Sequence, residues 1–224
     1  MIITIDGPSG TGKSTIAKLL ATKLQFSFFD TGALYRALAW WVVHEKISSD
    51  SIVQALDKFT FSLKENAGNK EYFVSGINVT QEIRKKEITE MASKIAAIKE
   101  VRAALLPIQK EYAANGNFVF EGRDLGTVVF PEAEVKIFLT ASLEVRAERR
   151  YKEMVEKDPT LKIKLQDVLE SAEKRDAQDT NREIAPLKCP EGAFILDSSD
   201  LTIPQVVEAL YQHILTKKRA CKAG

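Results

Sequence analysis

Short apolar runs alternate along the chain with longer segments in which apolar residues recur every three or four positions. The runs have the length of buried strands, whereas the longer segments have the period of amphipathic helices. Five such runs predict core strands, at 2–5, 26–29, 118–120, 135–139 and 194–196. Because strands that alternate with helices favour a parallel sheet with right-handed helical connections, we predict an α/β fold.

The hydrophobic period changes between residues 59 and 80. Two short segments typical of strands, 59–64 and 71–79, flank the sequence Asn66-Ala67-Gly68-Asn69, whose composition is typical of a turn. We therefore predict a small antiparallel insertion in this region. At the other end of the chain, the basic residues 217–219 are expected to begin a disordered tail.

The first predicted strand leads directly into Gly7-Pro8-Ser9-Gly10-Thr11-Gly12-Lys13-Ser14-Thr15. This stretch matches the pattern G-x-x-x-x-G-K-[ST] between a strand and a helix, which is the context of a phosphate-binding loop. Its glycines let backbone N–H groups face a polyphosphate, and the following helix presents its positive end. We expect residues 7–15 to bind ATP, with Lys13 spanning the β- and γ-phosphates and the Ser14 hydroxyl bound to Mg²⁺.

Composition limits what can surround this loop. A chain of 224 residues with 45% hydrophobic content suits one α/β domain with an insertion. The formal net charge of +1 gives no global attraction to nucleic acid, so any phosphate must be bound locally. The two cysteines fit neither a metal site nor a disulfide framework, and no apolar run is long enough to cross a bilayer. We expect a cytoplasmic monomer with no nucleic-acid or membrane partner.

A phosphate-binding loop is compatible with a small-molecule phosphotransferase, a GTPase switch or an ATPase that moves nucleic acid. The Asn-Lys-x-Asp type of segment by which GTPases recognise guanine is absent from the sequence. A nucleic-acid motor is expected to have a larger excess of basic over acidic residues or a second motor module, and this chain shows neither. Arginines are frequent after the loop, which favours the phosphotransferase, because two phosphate-bearing substrates must be held against their mutual repulsion.

Two charged segments have more than one interpretation. The predicted helix 143–157 contains Arg146, Arg149 and Arg150, but glutamates at helical spacing can neutralise them, so the segment is also compatible with a solvated helix face. Residues 175–182 are polar on every face and are typical of an exposed loop or a fraying helix end. In a protein that binds phosphates, their arginines and Asp179 are also candidate substrate ligands.

Four stretches together resemble the bacterial cytidylate kinases, and the resemblance extends over essentially the whole chain. They are 7–14, 30–36, 121–131 and 175–187. The sequences Gly-Arg-Asp-Leu-Gly-Thr-Val-Val-Phe-Pro and Thr-Asn-Arg-Glu-Ile-Ala-Pro-Leu are more specific than the phosphate-binding loop, which a large superfamily shares. The resemblance implies transfer of the γ-phosphoryl group of ATP to CMP or dCMP, giving ADP and CDP or dCDP.

The resemblance also implies the nucleoside monophosphate kinase fold, with a five-stranded parallel core sheet flanked by helices, a small antiparallel insertion and a helical lid. A single kinase domain, 1–224, is expected to contain three regions. These are a core of 1–32, 117–142 and 183–216, a monophosphate-binding region of 33–105 with its insertion at about 59–80, and a lid and hinge region of 143–180.

Site residues follow from the resemblance by matching positions. The catalytic cations are expected to be Lys13, Arg146, Arg150 and Arg175. The metal ligand is expected to be Ser14. The residues expected to bind CMP are Thr31, Tyr35, Arg36, Ser93, Arg102, Gly122, Arg123, Asp124, Arg175, Asp179 and Arg182. Among these, Ser93 and Arg102 are expected to approach the cytosine, and Asp124 and Asp179 to receive the sugar hydroxyls or, in part, the base.

The sequence departs from the family pattern at three positions. Glu121 stands where the family commonly has Asp, Gln178 where it often has Arg, and Thr31 where it commonly has Ser. A role for Glu121 near the metal therefore requires an adjustment by one carbon. Two alternatives stay open at this point: a kinase of another pyrimidine monophosphate such as UMP, and a nucleotide-binding regulatory module without turnover.

Overall fold

The structure, a computed structural model, describes residues 1–66 and 69–223. Its strands are β1 (Ile2–Asp6), β2 (Ser27–Asp30), β3 (Phe61–Asn66), β4 (Asn69–Val74), β5 (Ile77–Asn78), β6 (Phe118–Glu121), β7 (Val135–Thr140) and β8 (Phe194–Asp197). Its α-helices are α1 (Lys13–Leu24), α2 (Thr31–His44), α3 (Ile52–Ala55), α4 (Lys86–Ile95), α5 (Lys99–Ala114), α6 (Leu143–Lys157), α7 (Leu165–Asn181) and α8 (Ile203–Ala223). A π-helical turn occupies Leu125–Val129. The chain forms two compact units, residues 1–29 with 116–224 and residues 30–115.

The first unit is built on a five-stranded parallel sheet in the order β2-β6-β1-β7-β8. The central strand β1 pairs on both sides, so that Ile3 lies opposite Val119 of β6 and Val135 of β7. Ile3 and Ile5 are fully buried and share one hydrophobic core with apolar residues of α1 and α8. Both faces of an inner parallel strand are covered, which explains why β1 carries apolar residues on both faces, with Ile2 on one and Ile3 and Ile5 on the other. The predicted fold class and all five predicted core strands are confirmed.

The second unit contains the antiparallel sheet β3-β4-β5. Its register places Phe61 opposite Val74 and Leu63 opposite Tyr72. The sheet is tied to α5 by the Tyr112 hydroxyl, which accepts the backbone N–H of Leu63 at 3.0 Å. The predicted antiparallel insertion is therefore confirmed, although residues 67 and 68 of the predicted turn lie outside the described residues.

The prediction of a disordered basic tail is wrong, because α8 continues through residues 217–219 to Ala223. The helix has apolar residues on the face that packs against the core, including the buried Leu210 and Ile214. Further contacts extend this packing, since Lys23 of α1 forms an ion pair with Glu208 and the Lys218 ammonium lies 4.6 Å from the centre of the Phe26 ring. Within residues 1–66 and 69–223, no helix combines the length and the apolar content that a bilayer crossing requires.

Candidate functional site

The phosphate-binding loop lies between β1 and α1, as predicted. Gly12 caps the start of α1 in the left-handed conformation, with φ of 85°, and Lys13 is the first residue of the helix. Gly7 has φ of +148°, and a Cβ atom at this position would lie 2.0 Å from the Leu139 carbonyl oxygen. A glycine is therefore required at position 7, because the loop passes directly against the backbone of β7.

Lys13 is buried within the loop itself. Its ammonium donates a 2.6 Å hydrogen bond to the Pro8 carbonyl and lies 3.5 Å from the Thr11 hydroxyl oxygen. Burial, reinforced by the positive charge of Arg123, lowers the pKa of Lys13 to about 7, although the Glu121 carboxylate opposes this shift. A bound phosphate would favour the charged form of the lysine in the same way as Glu121 does.

Two oxygen ligands meet at the start of α1. The Ser14 hydroxyl donates a 2.8 Å hydrogen bond to the carboxylate of Glu121 at the end of β6. Hydroxyl and carboxylate oxygens suit Mg²⁺, which proteins often bind through one or two side chains together with substrate phosphates. Where the chain is described, it has no cluster of three or more His, Cys, Asp or Glu side chains that could hold a metal alone. The residues present thus fit a magnesium ion that would take its remaining ligands from substrate phosphates and water.

Arginines and aspartates from distant parts of the first unit alternate in a partly buried network of ion pairs. The Asp179 carboxylate lies 2.9 Å from Nε of Arg123 and 3.9 Å from Nη1 of Arg182. Arg182 also contacts the Asp124 carboxylate, at 3.3 Å. The carboxylates of Asp179 and Glu121 raise the pKa of Arg123 although burial alone would lower it. The structure thus brings together four predicted site residues, two cations and two anions.

The two candidate arginines of α6 have different environments. Arg146 is buried, and its guanidinium donates a 3.0 Å hydrogen bond to the Ser9 carbonyl and forms a 2.6 Å ion pair with Asp176 of α7. Arg150 is 54% exposed and pairs with Glu153 at 2.8 Å. The alternative of a solvated helix face therefore describes Arg150 and not Arg146, which joins α6 and α7 to the phosphate-binding loop.

The family model described as cytidylate kinase matches residues 3–216. The chain belongs to the cytidylate kinase family. A cytidylate kinase from Protochlamydia amoebophila is 49% identical over 218 residues, covering 95% of this chain and 96% of its own. One from Caldanaerobacter subterraneus is 46% identical over 215 residues, with coverages of 95% and 93%. The solved structure of an uncharacterized protein from Eubacterium ventriosum, 10% identical, has a TM-score of 0.53 over 96% of this chain and 98% of its own, and shows the fold alone.

In the second unit, Asp30 organises the start of α2. One carboxylate oxygen accepts the Ala33 N–H at 2.8 Å and caps the helix, and the other accepts from Arg36 at 3.0 Å. Thr31 is buried at the same helix end. The hydroxyl and guanidinium that the family resemblance assigns to CMP are thus held at the N-terminus of a helix, which favours anions.

The residues expected to approach the cytosine lie on α4 and α5 of the second unit. The Arg102 guanidinium carbon lies 5.5 Å from the centre of the Tyr35 ring, and the group donates to the Ala96 carbonyl at 3.3 Å. The Ser93 hydroxyl donates to the Thr89 carbonyl at 3.3 Å. Tyr35 and Arg102, both predicted to bind CMP, are therefore in contact.

The remaining predicted residues of the first unit lie directly after β6 and on α7. Gly122 follows β6 and donates its N–H to the Ile5 carbonyl at 3.0 Å. Arg175 lies on α7 beside Asp176 and is partly buried. The roles in catalysis and in CMP binding that the resemblance assigns to these residues stay predictions.

Sequence reasoning missed two aspartates. Asp176 holds Arg146, and Asp6 accepts the N–H groups of Leu125 and Gly126 at 2.9 and 2.8 Å. Asp6 had one available signal, because a charged residue that ends a buried strand must find partners inside the protein. Asp176 had no such signal, because it lies in a segment that is polar on every side.

Proposed function

We propose that this chain transfers the γ-phosphoryl group of ATP to CMP and dCMP. Membership of the cytidylate kinase family supports the reaction class and the acceptor. The observation that carries the proposal is the content of the first unit, where a phosphate-binding loop with Lys13 and Ser14 accompanies arginines held by aspartates. Such arginines can exchange a carboxylate for a substrate phosphate at little electrostatic cost.

On the donor side, the backbone of residues 7–12 and the N-terminus of α1 receive the phosphates of ATP. Lys13 neutralises charge on the β- and γ-phosphates, and Ser14 with Glu121 holds the magnesium ion. A magnesium ion held by these two side chains would supply positive charge beside the phosphates of ATP during transfer. Arg146, Arg150 and Arg175 are proposed to complete the neutralisation.

On the acceptor side, each residue type suits one part of CMP. Arg36, Arg123 and Arg182 are proposed to bind the phosphate, and Thr31 its surroundings. Cytosine offers its carbonyl and N3 as acceptors and its amino group as a donor, so the Arg102 guanidinium and the Ser93 hydroxyl can recognise it together. The carboxylates of Asp124 and Asp179 accept hydrogen bonds from sugar hydroxyls. The remaining proposed contacts are those of Tyr35, Gly122 and Arg175.

The reaction needs no general base in this proposal, because the attacking phosphate oxygen is already ionised at neutral pH. Catalysis depends on in-line positioning, on charge neutralisation and on the exclusion of water. Residues 143–180 are proposed to serve as the lid and hinge that exclude water, and residues 33–105 to bind the monophosphate. We further propose a monomer in the cytoplasm, consistent with an exposed, free Cys189.

A coupled ADP-release assay tests the proposal with CMP, dCMP, UMP, dTMP and AMP as acceptors. We expect CMP and dCMP to give the highest kcat/KM, and removal of Mg²⁺ by EDTA to abolish turnover. A preference for UMP would instead assign a different pyrimidine monophosphate as the acceptor. Failure of every acceptor to stimulate ADP release would favour a regulatory module and overturn the proposal.

A further inference from the structure

Asp6 holds a turn that lies far from it in sequence. It is the last residue of β1 and is fully buried. One oxygen of its carboxylate accepts the Leu125 N–H at 2.9 Å, and the other accepts the Gly126 N–H at 2.8 Å. Both oxygens are thus used on the first two residues of the π-helical turn Leu125–Val129, which directly follows Asp124.

The first N–H groups of any helical turn lack partners within it, and an aspartate at the preceding position commonly supplies one with its own side chain. Asp124 occupies that position, yet its side chain makes no capping hydrogen bond. Its backbone carbonyl instead accepts the N–H groups of Val128 and Val129, at 2.9 and 3.2 Å. Its carboxylate points to Arg182, at 3.3 Å. Asp6 therefore performs the capping that Asp124 would otherwise perform.

The turn also has little room to move relative to β1. A Cβ atom on Gly126 would lie 2.7 Å from Cγ of Pro190 and 3.2 Å from the Thr4 hydroxyl oxygen. Tight packing against Pro190 and Thr4, together with the hydrogen bonds that the Leu125 and Gly126 N–H groups donate to Asp6, restrains the turn. Turns of the π type are rare and occur often at functional sites.

We propose that Asp6 is a positioning residue for the acceptor: by capping the turn Leu125–Val129, it directs the Asp124 carboxylate away from the backbone and towards Arg182 and the acceptor's sugar. The inference rests on the proposed function, in which Asp124 binds CMP. Asp6 itself touches neither substrate in this scheme. The specific consequence is that Asp6 supports recognition of CMP more than recognition of ATP, although it directly precedes the phosphate-binding loop.

The surroundings of the Asp6 carboxyl shift its pKa in opposite directions. Burial raises the pKa of this carboxyl to about 6, and the nearby Asp124 acts in the same direction. The hydrogen bonds from the Gly126 and Leu125 N–H groups lower the pKa but do not cancel the effect of burial. The positive charge of Lys13 lowers the pKa as well. A buried carboxyl that is costly to ionise needs hydrogen-bond donors inside the protein, and the N–H groups of Leu125 and Gly126 supply them.

The test is the variant Asp6→Asn, which keeps the shape and replaces one acceptor oxygen with a donor that faces a backbone N–H. We expect KM for CMP to rise about tenfold or more and KM for ATP to change less than about twofold, because one buried hydrogen bond is lost at the acceptor side. Hydrogen exchange of the Leu125 and Gly126 amides should become faster in the same variant. If Asp6→Asn does not fold, Asp6→Ser is measured in its place.

Two further variants make the outcome specific. Thr4→Val is the matched control, because Thr4 is equally buried on β1 beside the same turn and its hydroxyl makes no hydrogen bond. We expect it to leave both KM values unchanged. Asp124→Asn tests the proposed function itself: if it leaves KM for CMP unchanged, the assignment of Asp124 to the acceptor is wrong. Suppose instead that Asp124→Asn raises KM for CMP. The inference about Asp6 is then overturned if the Asp6 variant raises the KM values for CMP and ATP equally, raises only KM for ATP, or raises neither.

Discussion

Gly7 makes the closest approach among the glycines of the phosphate-binding loop, because a Cβ atom there would lie 2.0 Å from a backbone oxygen of β7. We expect Gly7→Ala to move the loop, to raise KM for ATP and to lower the free energy of unfolding by more than the roughly 1–2 kcal/mol that a left-handed backbone costs alone. The matched control is Gly192→Ala, since Gly192 also has positive φ, +67°, but nothing lies within 4 Å of its Cβ position. Urea unfolding and ATP kinetics of both variants check the difference. Equal losses would show that backbone conformation, and not the approach to β7, decides the requirement.

Lys13 gives the protein a pH dependence whose sign follows from its pKa. Burial lowers this pKa from 10.5 to about 7 in the folded chain, so between these values the unfolded chain binds more protons. The contribution of Lys13 to stability therefore rises with pH from about 7 towards 10. In the variant Lys13→Met this contribution is absent. In the absence of nucleotide, we therefore expect the free energy of unfolding of the wild type to increase relative to that of the variant as pH rises from 7 to 9.5. Urea unfolding at four pH values measures this difference, and a constant difference would contradict the lowered pKa.

At the scale of elements, the strands could be predicted because each is a local run of apolar residues, and α6 begins and ends at the predicted residues 143 and 157. Residues 175–181 have no apolar face, so the sequence predicts either an exposed loop or a fraying helix end there. In the structure they form the last part of α7. Their conformation is supported by ion pairs of Asp176 and Asp179 with arginines distant in sequence.

The same distinction applies to the site: the loop 7–15 is a local pattern, whereas the contact of Asp6 with Gly126 joins residues 120 positions apart. Such contacts have no periodicity or spacing that a single sequence displays.

The ion pair between α6 and α7 should stabilise these elements measurably. The Arg146 side chain is only 7% exposed, and Asp176→Ala would leave its charge without this partner. We expect the variant to lose about 2 kcal/mol of unfolding free energy, between the values typical of exposed and buried pairs. Glu153→Ala is the control, because Glu153 pairs with two exposed cations and should contribute less than about 1 kcal/mol. Similar losses in the two variants would mean that Arg146 is held by its carbonyl contacts and not by Asp176.

For the whole molecule, a net charge of +1 means that the affinity for two polyanionic substrates depends on local cations. Those cations belong to two compact units, with Lys13 in one and Arg102 in the other. Donor and acceptor binding should therefore be separable by single substitutions. Ligand-induced stabilisation measures this directly, since a ligand that binds only the folded chain raises its unfolding free energy.

We expect Arg102→Ala to abolish most of the rise in melting temperature that CMP produces and to preserve the rise produced by MgATP, because Arg102 is proposed to approach the cytosine and not to contact ATP. In the wild type, a ligand at 100 times its Kd adds about 2.7 kcal/mol, so the loss of one shift is readily detected. Lys13→Met should show the reverse pattern, losing the MgATP shift and keeping the CMP shift. Loss of the MgATP shift in Arg102→Ala, with the CMP shift intact, would assign Arg102 to the donor and contradict its proposed role at the acceptor.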